Sequence, residues 1–237
     1  MNRRIAIIPA RGGSTRLPRK NILPLHGLPL IAWTINAAKN SGTFDRVVVS
    51  TDDVEIAEIA RRNGAEVPFL RGEYADNYSP SSLATLETLE QAESYWGETF
   101  DIVAQLLPTC PLRGADITRA GMQRFETREA PAQISVFDYG WMNPWWAMKC
   151  GSDGQPDWLF PAERVQRSQD LDTLYCPSGA LWIARAEVLR QEKTFYAPGH
   201  VVEPIPWQTA VDIDDEQDFH MAEVMLSLNR RMESLDS

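Results

Sequence analysis

The chain reads as an α/β protein: one unit over residues 1–237, built on a doubly wound, mostly parallel sheet, three-layered and Rossmann-like, with a small arm inserted at about 139–174. Three observations predict this. Short Ile- and Val-rich runs alternate with helix-like stretches through about residue 138, the order that builds a parallel sheet with helices on both faces. The runs are apolar throughout, as strands covered on both faces must be. Between Tyr139 and Leu174 that order fails, with four tryptophans, several prolines and glycines and no helical period, before it resumes.

Element by element, RIAIIPA is a buried strand stopped by Pro9 and the glycines beyond it. Pro29 opens a helix, LIAWTINAAKNSG, whose Leu30, Trp33 and Ala37 share a face and which Gly42 terminates. RVVVST is the next strand, and Asp52 or Asp53 caps a helix through IAEIARRNG. A short strand, EVPFL, precedes a polar loop and a helix from about Ser81 to Trp96. DIVAQLLP is a further buried strand and GADITRAGMQRFE a further helix. After the tryptophan-rich excursion, read as a hairpin or arm that finds its apolar partner in a second subunit, come a strand SGALWIA and a helix AEVLRQE. VVEPIP is an edge strand, and VDIDDEQDFHMAEVMLSLNRRM a strand end running into a last helix.

Composition narrows the function. No apolar run approaches the ~20 residues of a membrane helix, and the apolar run after MNRR is too short for a signal peptide, so a cytoplasmic protein with no membrane partner is expected. Cys110, Cys150 and Cys176 are too few and too scattered for a disulfide framework or a zinc site. The formal net charge of -10 makes a nucleic-acid partner an unfavourable expectation. Yet residues 1–46 carry eight Lys and Arg against one acid, leaving fifteen against thirty-two in the remainder. A confined basic patch suits a small polyanion such as a nucleotide.

At the centre of that patch lies ARGGSTRLPRKN, Ala10 to Asn21. It is no P-loop, because Lys20 lacks the flanking Gly and Ser or Thr, and it has no G-x-G-x-x-G. What remains is a turn over Gly12, Gly13 and Ser14 offering backbone N–H groups after a strand, with Arg11, Arg16, Arg19 and Lys20 near enough to surround a triphosphate. In VDIDDEQDF, Asp212 and Asp214 alternate in an extended segment and so project to one side, two hard oxygen ligands of the kind Mg²⁺ accepts. Asp215, Glu216 and Asp218 fit the cap and first turn of the helix that follows.

IIPARGGSTRLPRKN, FDRVVVSTDD, VPFLR, LLPTCPLR, PSGALWI and DIDDEQDF together resemble the acylneuraminate cytidylyltransferases, typified by the CMP-sialic acid synthetases, along nearly the whole chain. The resemblance implies a nucleotidyltransferase fold and a Mg²⁺-dependent enzyme that joins CTP to a nine-carbon 2-keto sugar acid, releasing pyrophosphate, as a homodimer. It implies catalytic roles for Arg11, Lys20, Asp212 and Asp214, and places Ala10, Gly12, Gly13, Ser14, Asn21, Arg71 and Ser82 at the nucleotide. Arg167 would face the sugar acid, with Trp182, Phe195 and Tyr196 around its N-acyl group, and Asp212 and Asp214 would hold the metal. Thr15 stands where the sialic-acid branch has lysine, and STRLPRK resembles enzymes activating the eight-carbon acid KDO. Leu107 replaces a glutamine near the sugar, and Trp145 and Trp146 stand where relatives carry polar or basic residues. VPFLR and RSQDL resemble pseudaminic-acid members, whereas the LYCPSGALWI block looks more like sialic or legionaminic enzymes. A KDO enzyme, a sugar-phosphate nucleotidyltransferase and a nucleotide-binding regulator remain as alternatives.

Overall fold

The computed structural model describes residues 2–72 and 79–233, with side chains of the last helix through Asn229. The centre of the polar loop expected after Leu70 lies outside them. The first strand, β1, spans Arg4–Pro9, and a two-residue hairpin, β2 (Pro24–Leu25) and β3 (Leu28–Pro29), follows the basic loop. His26 and Gly27 between them both take positive φ, the turn that matches strand twist. Helix α1 (Leu30–Ser41) ends at Gly42 in the left-handed conformation, as its sequence predicts. Strand β4 (Arg46–Ser50) leads to α2 (Val54–Arg62), whose N-cap is Asp53, and then come α3 (Ser81–Trp96), β5 (Ile102–Gln105), α4 (Ala115–Arg128) and β6 (Ala132–Asp138).

The excursion contains the hairpin β7 (Met148–Cys150) and β8 (Pro156–Trp158), flanked by single turns at Pro144–Trp146, Glu163–Val165 and Ser168–Asp170. The chain then re-enters the sheet as β9 (Tyr175–Arg185), followed by α5 (Ala186–Glu192), β10 (Val201–Pro204) and α6 (Glu216–Glu233). The sheet order is β10-β6-β9-β5-β1-β4, parallel except for β9, which runs antiparallel between β5 and β6. The fold class is therefore α/β with a mostly parallel sheet, and β10 is an edge, as expected.

Strand alternation splits the core into two faces. Ala6 and Ile8 pack with Ile31 and Ile35 of α1, Ile56 of α2, and Met122 and Phe125 of α4. Ile5 and Ile7 pack with Leu86 and Leu89 of α3 and Leu189 of α5. A third cluster joins Leu25, Leu30 and Leu112 to Val211, Ile213, Ala222 and Leu226, with Leu17 against it. This cluster draws the basic loop and the start of α6 to the same end of the sheet, although they lie about two hundred residues apart in sequence.

Two sequence expectations need correction. EVPFL forms no strand: it contributes one bridge, Glu66 beside Val48, before Pro68, which has no N–H, interrupts any ladder. VDID is not a strand end either. Among the described residues it pairs with no strand: Ile213 N–H donates to Thr109 O at 2.8 Å, a single backbone bond to a loop, while Asp214 N–H donates to Asp218 Oδ2 at 2.9 Å.

Candidate active site

In parallel α/β sheets, ligands gather beyond the carboxyl ends of the strands. Here β1, β4 and β5 end side by side, and the basic loop leaves the first of them. Ala10 is buried and its N–H donates to Ser50 O at 2.8 Å, which ties the loop's start to the end of β4. Gly12 N–H donates to Asp52 Oδ1 at 2.9 Å and Ser14 N–H to Gly12 O at 3.0 Å, while Gly13 is exposed. The amides of Gly12 and Ser14 are thus already satisfied inside the protein. For Gly12 the acceptor is one of the two carboxylates that VSTDD places at the end of β4, and for Ser14 it is the loop's own backbone.

The four cations also divide. Arg19, left-handed at φ 58°, turns away to Asp53 and Glu55. Arg16 reaches Asp214 at 2.8 Å. Lys20, whose side chain is 12% exposed, donates to Ile213 O at 2.6 Å and reaches Asp214 Oδ1 at 3.2 Å. Asn21 is buried and donates its amide to Arg11 O at 2.9 Å, so it braces the loop from behind.

Opposite stands Asp212–Asp214. Ile213 is buried in the third cluster, which leaves the two carboxylates free to project the other way. Asp212 keeps a solvent-accessible face, yet protein atoms crowd its carboxyl and this desolvation pushes its pKa above the ordinary range; Thr109 opposes the shift, and the nearby Asp214 charge adds to it. Two carboxylates held close, at least one reluctant to stay charged alone, form a donor set that a divalent cation relieves. Among the described residues no group of three or more His, Cys, Asp or Glu could hold a metal. A two-carboxylate set suits Mg²⁺, which completes its shell with water and phosphate oxygens. Asp215 and Asp218 are capping groups, as expected: Asp215 Oδ1 accepts from the N–H groups of Gln217 and Asp218, and Asp218 Oδ2 from those of Asp214 and Asp215.

Arg71 is buried at the rim of the same strand ends, with Nη1 donating to Ser50 Oγ at 3.4 Å and Nε unpartnered. Burial lowers its pKa, with Asp52 and Glu87 opposing and Arg11 reinforcing the shift, which places Arg71 in electrical contact with the basic loop. Ser82, in the first turn of α3, gives its hydroxyl to Lys193 O at 3.0 Å. Trp182 meets Phe195 at 5.8 Å and Tyr196 at 5.5 Å between ring centroids. Phe195 is fully enclosed and backs Trp182, so of the three aromatics Tyr196, 47% exposed, presents itself most openly. Arg167 stands on the excursion, its guanidinium gripped by Asp170 at 2.7 Å, and the structure does not bring it to that cluster. Cys110 is buried and its thiol pKa is pushed far up by desolvation, which suits a packing role. A cavity of roughly 270 Å³ between α4 and β10 shares no residue with these loops.

Sequence reading missed Asp52 and Asp53 as partners of the basic loop, taking them only as caps. The signal was present in the run of two acids at a strand end beside an unusually basic loop.

A mostly parallel sheet with a basic loop after β1 and an acidic segment facing it is the arrangement expected of a nucleotidyltransferase. A cytidylyltransferase family profile matches residues 5–103. A pseudaminic acid cytidylyltransferase from Campylobacter jejuni is 33% identical over 229 residues, covering 95% of this chain and 97% of its own. A CMP-N,N'-diacetyllegionaminic acid synthase from Legionella pneumophila is 32% identical over 233 residues, with the same coverage. A CMP:2-keto-3-deoxy-manno-octonic acid synthetase solved with CTP superposes with a TM-score of 0.71 at 14% identity, covering 96% of this chain and 99% of its own. The chain belongs to the acylneuraminate cytidylyltransferase family and is an enzyme.

Proposed function

We propose that the protein joins CTP to a nine-carbon 2-keto sugar acid of the pseudaminic, legionaminic or sialic type, giving the CMP-sugar and pyrophosphate. The observation that carries this reading is the meeting of Lys20 with Asp214 and the Ile213 carbonyl, which sets a phosphate-seeking cation against a metal-seeking carboxylate. The two long-range relatives, both named for nine-carbon acids, support that substrate class; the 14% identical neighbour supports the fold alone.

In the reaction, the anomeric hydroxyl oxygen forms a bond to the α-phosphorus of CTP, the bond from that phosphorus to the bridging oxygen breaks, and pyrophosphate leaves. Arg11 and Lys20 would hold the triphosphate in line with the incoming oxygen, and Lys20 would follow the charge that gathers on the leaving group. Arg71 and the first turn of α3 would receive the nucleoside. Asp212 and Asp214 would hold Mg²⁺, which when bound neutralises phosphate charge and lowers the pKa of the attacking hydroxyl. No histidine is an evident base: His26 Nε2 lies 2.8 Å from Glu223 O, His200 Nδ1 lies 2.9 Å from Ala197 O, and His220 is exposed on α6. The hydroxyl proton would pass to solvent.

The excursion supports a homodimer as the working unit. Trp141 is 84% exposed and Val165 76%, with Met142, Met148 and Leu159 also uncovered, an apolar surface that a second copy would bury. Among the described residues no helix is long and apolar enough to cross a membrane, and use of CTP favours a cytoplasmic reaction.

Pyrophosphate release with CTP, Mg²⁺ and a panel of pseudaminic, legionaminic, sialic and KDO acids tests the reading. Turnover with a nine-carbon acid is expected. Turnover with KDO alone would move the chain to the eight-carbon enzymes, and CTP binding without turnover on any acid would make it a regulator.

A further inference from the structure

The basic loop is held by a clasp that its expected role in phosphate binding does not explain. Asp53 caps α2 by accepting from Ile56 N–H at 2.9 Å, and the same carboxylate takes Arg19 in a two-pronged contact, with Nη2 to Oδ1 at 3.3 Å and Nη1 to Oδ2. Glu55 adds a second acceptor. The mutual effect is visible in both groups: the Arg19 bond holds the Asp53 carboxyl below the usual range, with desolvation opposing and the Ile56 amide assisting, and Asp53 in turn raises Arg19. Gly12 lies against the same side chain, since a Cβ at Gly12 would come within 2.8 Å of Asp53 Oδ2. Next to it, Asp52 holds Gly12 N–H. Both arms of the loop are therefore fastened to one corner, the end of β4.

Arg19 occupies a left-handed backbone conformation that an ordinary side chain disfavours and that persists only where the surroundings impose it. It is also the N-cap of the turn Lys20–Ile22, so the residue it fixes next is Lys20. Consecutive Cα atoms lie about 3.8 Å apart, which leaves Lys20 little freedom to shift while Arg19 is gripped.

We propose that Asp53 is a positioning residue for the reaction: by clasping Arg19 across the loop it sets the place of Lys20, and Arg19 is a strut in that clasp, outside the set of triphosphate ligands. This rests on the reading of the loop as the CTP phosphate site. The rival is that Arg19 swings off Asp53 to bind the triphosphate directly.

Kinetics of a four-member cycle separate the two, using the full chain with CTP, Mg²⁺ and whichever of pseudaminic, legionaminic or sialic acid the unmodified protein turns over fastest: the unmodified protein, Asp53→Asn, Arg19→Asn and the double variant. Asn still caps a helix at 53 and tolerates the left-handed backbone at 19, so melting temperatures of all four confirm that they fold. If the clasp positions Lys20, each single change lowers kcat by about 10- to 100-fold while KM for CTP moves by less than about 3-fold, the signature of a displaced transition-state contact. The double variant is then no slower than the slower single one. A rise of about 10-fold or more in KM with Arg19→Asn, losses that multiply in the double variant, or an unaltered kcat in Asp53→Asn would each overturn the proposal. An unmodified protein that fails to turn over CTP with any acid overturns the functional reading itself, a result distinct from the other three.

Discussion

At the scale of single residues, Asp214 carries the heaviest duty, since it faces Lys20 and Arg16 and would share Mg²⁺ with Asp212. Its side chain is 46% exposed, and exposed ion pairs contribute only about 0–1 kcal/mol, so Asp214→Ala should leave the urea unfolding midpoint almost unmoved. The same change should lower Mg²⁺-dependent turnover by at least about 100-fold. A variant that keeps full activity would remove Asp214 from the metal site. The Asp212/Asp214 pair was legible in sequence because alternation is a property of extended backbone alone. The engagement of Arg19 was not: a list of four nearby cations cannot say which are already taken, and that depends on where Asp53 and Glu55 fall once α2 is folded. Asn21 teaches the same point, for its amide turned out to brace Arg11 O.

At the scale of elements, strands and helices were readable wherever burial and local chemistry agreed. Ser81–Trp96 and the Gly42 stop came directly from period and cap. EVPFL and VDID did not become strands: the first meets the free edge of β4 at one bridge and is stopped by Pro68, and the second lies beyond the sheet, a placement that no local pattern reports. One packing device was invisible in sequence. Glu203 on β10 is 3% exposed and pairs with Arg124 and Arg128 of α4, fastening the sheet edge to that helix. Removing one cation leaves the other in place. Changing both Arg124 and Arg128 to Ala should strand a buried carboxylate and lower the free energy of unfolding by about 3–5 kcal/mol, measured by urea denaturation. A loss below about 1 kcal/mol would show that the carboxylate finds water, and that the edge is held by its parallel pairing with β6 and not by charge.

For the whole molecule, the sequence already contained both halves of the candidate site, the basic loop near one end and DID near the other. What it lacked was the apolar cluster of Leu17, Leu25, Leu30, Leu112, Ile213 and Leu226 that draws them together. The excursion was readable as a break in order, and its exposed tryptophan and methionines make a second copy the natural cover. Light scattering coupled to size exclusion should therefore return twice the 26.7 kDa of one chain, and a clean monomer would leave that surface without its proposed partner. The central claim, that two distant segments build a site which transfers CMP to a nine-carbon acid, is tested most directly by ³¹P NMR of the products formed from CTP, Mg²⁺ and a mixture of pseudaminic, legionaminic and sialic acids. The account predicts a phosphodiester phosphorus linking cytidine to a sugar acid, together with one equivalent of pyrophosphate. CTP left intact, or CMP released with no conjugate formed, would contradict it.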